Sequence, residues 1–373
     1  MSALILKSAQ IVDPANNRNT VGDIYIENGL ITSTPPSGAE VWDLAGHCLA
    51  PGFIDLRCTV RSREDLNLAL EQGYTTLFCP QKPPEEVLFS GAPKCIPLGP
   101  LTQGRGGKEL AGIGLGAGAH ILFDGNQPIG NAGLMRRAMQ YAAELNAVVM
   151  VHAEDKTLSG KGVLGEGAVA LAWGIPCVPA SAEATVVARD LLLLEEAGGH
   201  LHFAHLSCKR SVQLVEEAKR RGLSVTADVS PLHLNAWDAK AAPYSPLARV
   251  WPPLRTEEDS CALREGLKCG SIDALASDHC RRTKDEVEEP FELCMPGGES
   301  LNAVWPTLWA MDMPLLDKIA RVTSGPARAL RLAWGGHLGE GALADAVIID
   351  LKTGHILKTL VDGRICFSRG ATL

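Results

Sequence analysis

The chain contains no apolar run approaching the roughly 20 residues that a membrane helix needs. That excludes an α-helical span, and the strand-like Leu4-Ile5-Leu6 near the start lacks the long apolar segment of a secretory signal. There is no Cys-x-x-Cys pair. The eleven cysteines are an odd number scattered from Cys48 to Cys366, which fits neither a disulfide framework nor a thiolate zinc site. They read as small apolar residues in a reducing compartment, so the expected location is the cytoplasm. A basic stripe is missing too. With 35 Lys and Arg against 43 Asp and Glu the net charge is −8, and neither nucleic acid nor an anionic membrane is expected as a partner. Two glycine-rich segments fail as nucleotide motifs. Gly112, Gly114, Gly116 and Gly118 lack the dinucleotide spacing and a preceding strand. Gly106-Gly107-Lys108 lacks the upstream glycine and the following Ser or Thr of a phosphate loop.

What is present is a globular composition, 46% hydrophobic and 21% charged, over 373 residues. That length suffices for a (β/α)8 barrel of about 250 residues plus a smaller domain. The first fifty residues predict short strands at Ala3–Val12, Asp23–Glu27 and Leu30–Thr34, the last two joined at Asn28-Gly29. The far end has the same texture, with Ala346–Leu351 and Thr359–Phe367 around an Asp362-Gly363 turn. Two β-rich ends flanking a different middle predict one discontinuous domain, residues 1–50 plus 337–373, a small β-sandwich. Residues 51–336 alternate strand and helix. Leu134–Leu145, Ala182–Ala197, Arg210–Arg221 and Glu257–Leu267 are helical; each precedes a near-continuous apolar strand at Ala147–Val151, His202–His205, Ser224–Val229 or Ala274–Ser277. Ala50–Leu56 and His120–Phe123 are further strands. The fold class is α/β, a TIM-type barrel of parallel strands.

Polar residues gather at the C-terminal ends of these strands, where barrel active sites lie. His152 ends Val148–Val151, His205 ends His202–Ala204, Asp278 follows Ala274–Ser277, and Asp124 follows His120–Phe123. Each alone is as readily a loop cap; together they are four candidate metal ligands on one predicted rim. The segments Pro51-Gly52-Phe53-Ile54-Asp55-Leu56, Val151-His152-Ala153-Glu154-Asp155, Ala204-His205-Leu206-Ser207, Pro252-Pro253-Leu254-Arg255 and Ala276-Ser277-Asp278-His279 resemble dihydroorotase, within the amidohydrolase superfamily. The resemblance runs through nearly the whole chain, to Leu343-Ala344-Asp345-Ala346-Val347-Ile348. It implies a metallo-hydrolase barrel with a terminal β-sandwich, closing carbamoyl aspartate to dihydroorotate with metal to polarise an amide carbonyl or supply hydroxide.

The departures from the family pattern are concentrated. Where it places a His-x-His pair after the Gly-Phe-Ile-Asp-Leu strand, this chain has Arg57 and Thr59. Arg cannot lose its proton to become a ligand, and Thr is a poor neutral one. A guanidinium at ~4 Å repels a dication by roughly 8 kcal/mol at an effective dielectric of 20, a ceiling because the side chain can swing away. The family's Asp-Asp-Gly reads Phe123-Asp124-Gly125, its Met-Pro-Asn reads Cys79-Pro80-Gln81, and Trp251 replaces the Asn before Pro-Pro-Leu-Arg. Asp278-His279-Cys280-Arg281-Arg282 replaces Asp-His-Ala-Pro-His, and the loop from Arg61 to Asp65 is short. Arg61 matches the family's carboxylate-binding Arg and reads equally as a solvated loop residue or salt-bridge partner.

Two readings follow. In the first, the chain resembles the catalytically inactive pseudo-dihydroorotase subunits that accompany aspartate transcarbamoylase. It is then a structural subunit with no cofactor and no catalytic residue, in a hetero-oligomer with that enzyme, a homodimer being the other assembly. In the second it is an active dihydroorotase or related cyclic amidohydrolase, with zinc held by a reduced set of His152, His205 and Asp278, and Asp124 as a further candidate. The substitutions favour the first. A weaker third reading is a binding module holding a small acidic ligand on Arg61. His47, His120, His200 and His202 are read as loop or strand residues, and Trp305 and Trp309, at i, i+4, as core. Arg281-Arg282 and Glu286–Glu289 read as a solvated loop.

Overall fold

The computed structural model describes residues 3–112, 120–240 and 244–370; Gly114, Gly116 and Gly118 of the glycine series lie outside them. The chain divides into two compact units, residues 1–96 with 301–373, and residues 97–300. It is an α/β protein, and no helix among the described residues is long and apolar enough to cross a membrane.

In the first unit the two chain ends share one hydrogen-bonded, eight-stranded sheet. Ala3–Asp13 pairs antiparallel with Arg18–Glu27, and a bulge between Leu6 and Ala9, with Ser8 at φ 58°, turns the strand. Its first half therefore pairs with Glu40–Asp43 and its second with His47–Pro51. His47–Pro51 pairs antiparallel with Ala346–Asp350, which leads on to Ile356–Val361 and Arg364–Ser368. Both expected hairpin turns form. Asn28 and Gly29 (φ 54° and 81°) and Asp362 and Gly363 (φ 49° and 72°) take the positive φ values that a two-residue turn needs to match strand twist. Leu6, Ile11, Ile26, Leu49, Ile348 and Leu360 meet in the core of this sheet, each contributing about 2 kcal/mol by leaving water.

The expected strand Ala50–Leu56 is two strands in two sheets. The apolar run is continuous, yet the chain passes at Gly52 from His47–Pro51 to Phe53–Asp55, which pairs parallel with Tyr74–Cys79. A Cβ at Gly52 would lie 2.2 Å from Thr75 Oγ1, so only glycine fits at the crossing. Beyond it Phe53 packs edge-on to Tyr74 and against Trp305, whose indole donates to the Gly354 carbonyl at 2.7 Å. Trp305 is thus core, whereas Trp309, expected there too, is half-buried and tilted against it with ring centroids 5.8 Å apart.

The second unit holds a parallel sheet in the order Ile121–Phe123, Val148–His152, His200–Ala204, Val225–Val229, Ala274–Leu275. The spatial order is the chain order, with no reversal of the kind that marks a doubly wound sheet. Helices Ala132–Glu144, Ser181–Ala197, Lys209–Arg220 and Glu257–Cys269 fall between the strands, each within two residues of its expected limits. The three middle strands are buried at every residue, which is why they read as apolar runs rather than as an alternation.

Candidate active site

The C-terminal ends of the second unit's strands deliver His152, His205 and Asp278. His205 and Asp278 both hold left-handed backbone, φ 54° and 50°. Non-glycine residues occupy that region seldom, at a cost on the order of 1 kcal/mol, and surrounding bonds must hold them there. Asp228, fully buried, does so for His205. Its Oδ1 accepts the His205 main-chain N–H at 2.9 Å and lies 3.1 Å from Nδ1. Its Oδ2 takes the Nε2 proton of His202 at 2.9 Å, and His202 Nδ1 meets Thr226 Oγ1 at 2.9 Å. Burial pushes the Asp228 carboxyl up, but the charge interaction with His205 and the bonds from His202 and His205 outweigh it and hold the group below the usual carboxylate range. An ionised Asp228 keeps the His205 proton on Nδ1 and directs the Nε2 lone pair outward. Asp278 Oδ1 stands 3.7 Å from that Nε2, with its side chain 19% exposed.

Glu183 braces the following loop. It accepts Ser207 N–H at 3.0 Å, Cys208 N–H at 3.3 Å and the Ser207 hydroxyl at 2.5 Å. Arg255 donates to Ser207 Oγ at 3.2 Å and to the Val178 carbonyl, so the Ala204–Ser207 and Pro252–Arg255 motifs meet through one hydroxyl. His233 donates from Nε2 to the Pro252 carbonyl at 2.9 Å and takes the Ser230 hydroxyl at Nδ1.

His152 has a different neighbour. The Trp251 indole N–H points at His152 Nε2 (3.0 Å) and at Glu154 Oε2 (3.2 Å). Glu154 Oε2 also receives Lys156 Nζ at 2.5 Å. Burial acts to raise the Glu154 carboxyl, yet the His152 imidazole 3.4 Å away and the Lys156 ammonium on Oε2 bring it down to about 2. Lys156 Nζ and Arg249 Cζ lie 5.2 and 5.6 Å from the Trp251 ring, cations held over an aromatic face. A small cavity of about 10 Å³ lies here between His152, Glu154, Glu183, Trp251 and Arg255.

Asp124 is turned elsewhere. Its Oδ1 accepts Leu101 N–H at 2.7 Å and Thr102 N–H at 3.0 Å, and its Oδ2 takes the Thr102 hydroxyl, so it ties a loop. Arg57, Thr59 and Arg61 belong to the first unit, where Arg57 is buried and Thr59 and Arg61 are partly exposed. The Arg61 main-chain N–H donates to Asp65 Oδ2 at 2.9 Å beside the Ser62 cap of helix Arg63–Glu71.

Two imidazoles and a carboxylate are zinc chemistry, and ligands of one tetrahedral zinc stand roughly 3.4 Å apart. The His205–Asp278 pair meets that spacing. As arranged, His152 does not complete it: among the described residues no three His, Cys, Asp or Glu side chains are gathered to hold an ion. The residues present therefore do not form a finished metal site.

A family model described as "Dihydro-orotase-like" matches residues 93–211. A dihydroorotase from Pelotomaculum thermopropionicum is 38% identical, over 93% of this chain and 88% of its own length. The chain belongs to the dihydroorotase family. A further dihydroorotase, from Desulfotalea psychrophila, is 35% identical over 99% of this chain and 93% of its own. Among solved structures, L-hydantoinase (dihydropyrimidinase) from Arthrobacter aurescens superposes with TM-score 0.82 at 20% identity, covering 100% of this chain and 98% of that one, a likeness of fold.

Membership corrects two expectations. The inactive structural subunit is overturned, because the relatives at this identity are dihydroorotases by name. The expectation of no cofactor falls with it, since this is a family of metal-dependent amidohydrolases. Reading a dead site from Arg57 and Thr59 counted what was replaced and missed what still supports the remaining groups. Asp228 and Glu183 were not identified. The available signal was Thr226 and Asp228, two apart and on one side of an apolar strand.

Proposed function

We propose that the chain is an active dihydroorotase or a related cyclic amide hydrolase, with His205 and Asp278 as its reacting groups and His152 beside them. The observation that carries this is the buried Thr226–His202–Asp228–His205 chain, which aims His205 Nε2 at Asp278. Such a chain orients an imidazole for work rather than for packing. Asp278, partly exposed at the strand end, takes a proton from water adding to the amide carbonyl and returns it to the departing nitrogen. In the cyclising direction the same carboxylate takes the proton from the attacking nitrogen. The (β/α)8 barrel with a β-sandwich, with domain limits 1–50 plus 337–373 and 51–336, is part of the proposal; the sequential strand order and the likeness to hydantoinases support it. The cytoplasm, where thiols stay reduced, suits eleven unbridged cysteines. Association with aspartate transcarbamoylase, or a homodimer, rests on the family resemblance. Light scattering of the chain alone and mixed with that enzyme tests it, and a monomer in both refutes it.

The deciding experiment follows dihydroorotate hydrolysis and carbamoyl aspartate cyclisation by the zinc-supplemented protein, with hydantoin and dihydrouracil as further substrates. Turnover that falls at least about 100-fold in Asp278→Ala is expected. No turnover of any of these rings by the unmodified chain overturns the reading.

A further inference from the structure

The first unit holds a pair of nucleophiles that the proposed reaction does not use. Tyr74–Cys79 and Lys94–Pro97 are neighbouring strands of one three-stranded sheet, and each carries a cysteine. Cys79 is fully buried, whereas Cys95 is partly exposed. Their thiols share a hydrogen bond across the strand pair. Each sulfur also rests against its own chain: Cys79 Sγ lies 3.7 Å from the Leu77 carbonyl oxygen and Cys95 Sγ 3.6 Å from that of Pro93. None of the eleven cysteines is bridged, so the pair is a dithiol.

The two thiols are not equivalent. Negative charge is costly on a sulfur sealed from water and less so on one that water reaches, so charge develops on Cys95 and Cys79 keeps its proton. The bond it donates to Cys95, together with burial, holds Cys79 well above the usual thiol range. The same bond lowers Cys95, against a smaller opposing effect of burial. A reachable thiolate beside a second thiol is the arrangement of a redox-sensing cysteine with its resolving partner.

We propose that Cys79 and Cys95 form a reversible disulfide on meeting a hydroperoxide, with Cys95 as the attacking thiolate and Cys79 as the resolving thiol. With hydrogen peroxide, Cys95 Sγ attacks one oxygen. An S–O bond forms, the O–O bond breaks, and two electrons pass from sulfur to the peroxide, giving a sulfenic acid and hydroxide. Cys79 Sγ then attacks the Cys95 sulfur. The S–S bond forms, the S–O bond breaks, and the departing hydroxide takes the Cys79 proton. Two thiols and one peroxide have become one disulfide and two waters, and a dithiol reductant reverses the change by exchange. The bond closes residues 80–94 into a covalent loop that begins at Cys79-Pro80-Gln81, the segment standing where the family has Met-Pro-Asn. Bridges of this kind in a reducing compartment are transient and redox-sensing rather than structural.

The test exposes the reduced, full-length chain to hydrogen peroxide, blocks the remaining thiols by alkylation at timed intervals, and digests it without reduction for mass spectrometry. A peptide pair linked through Cys79 and Cys95 is expected. It should form at least about tenfold faster than oxidation at any of the other nine cysteines and disappear with dithiothreitol. No bridge, a bridge from either residue to the buried Cys58, or one forming no faster than oxidation of the exposed Cys261 and Cys269 overturns the proposal. In Cys79→Ser the sulfenic acid on Cys95 is expected to persist and be captured by dimedone, and in Cys95→Ser Cys79 is expected to stay reduced. A dimedone adduct on Cys79 in the second variant, or none on Cys95 in the first, overturns the roles assigned to the two sulfurs. The linked peptides are read on the unmodified chain and so do not depend on a variant folding. No readout uses turnover or metal, so loss of the proposed ring hydrolysis and loss of this bridge are told apart.

Discussion

Replacing Asp228 by Asn keeps the volume of the side chain and removes its charge in a fully buried position. Three contacts are affected: the His205 main-chain N–H at 2.9 Å, His205 Nδ1 at 3.1 Å and His202 Nε2 at 2.9 Å. Hydrogen bonds to a charged group contribute about 1 kcal/mol more than neutral ones, so Asn should cost about 3 kcal/mol. His202 survives the change by moving its proton to Nδ1, where Thr226 Oγ1 accepts it. Ala leaves two buried donors, the His205 main-chain N–H and His202 Nε2–H, without their acceptor, at about 1–3 kcal/mol each, and should cost about 4 kcal/mol. Calorimetry should show the Asn variant melting roughly 10 °C lower, for a unit of this size. The pH dependence has a definite sign. The native carboxyl is depressed, so its contribution is complete above the unfolded value of about 3.9 and is lost only as pH falls through the lower native value. The gap between unmodified and Asn proteins should therefore not narrow between pH 7 and about 4.5. An Asn variant as stable as the unmodified chain, or a gap that closes by pH 5, would refute the role given to Asp228.

Gly52→Ala should destabilise the first unit by about 3 kcal/mol, because its Cβ meets Thr75 at 2.2 Å, and adding Thr75→Gly should recover at least half. Urea denaturation checks this; an Ala variant of unchanged midpoint contradicts the crowding. Asp190 is fully buried, and burial raises its carboxyl to about 6 against the pull of Arg189. The native state then binds the proton more tightly than the unfolded chain, so stability from this group falls as pH rises from 4 to 7, by up to about 3 kcal/mol. Asp190→Asn should flatten that part of the stability–pH curve; a curve parallel to that of the unmodified chain would show that Asp190 ionises normally.

Local chemistry was the legible part of the fold. Asn28-Gly29 and Asp362-Gly363 specify their turns through the backbone they tolerate, and the helices declare their caps, as in the Thr256–Asp259 box before Glu257–Cys269. The break at Gly52 was not legible, because an apolar run reads alike whether it serves one sheet or two, and Thr75 is 23 positions away. For the site, motif positions located His152, His205 and Asp278. What each touches was hidden. Asp124 ties Leu101 and Thr102 more than 20 positions back, and Trp251 meets His152 across 99 positions. Partners so distant are set by strand order, which residue spacing does not encode. Replaced ligands were visible one residue at a time, whereas the support of those retained is a property of pairs.

The sheet that joins both chain ends has a consequence for biosynthesis. His47–Pro51 leaves the ribosome about 300 residues before Ala346–Asp350, the strand that closes its open side. At roughly 5–20 residues per second that is a wait of about 15–60 s. Throughout it, the newborn N-terminal segment presents unpaired backbone N–H and C=O groups along a strand rich in apolar side chains, a template for pairing with a neighbouring nascent chain. Successful maturation is thus a race between completing the message and strand capture by another copy, and premature stops just short of Ala346 would leave products permanently in the vulnerable state.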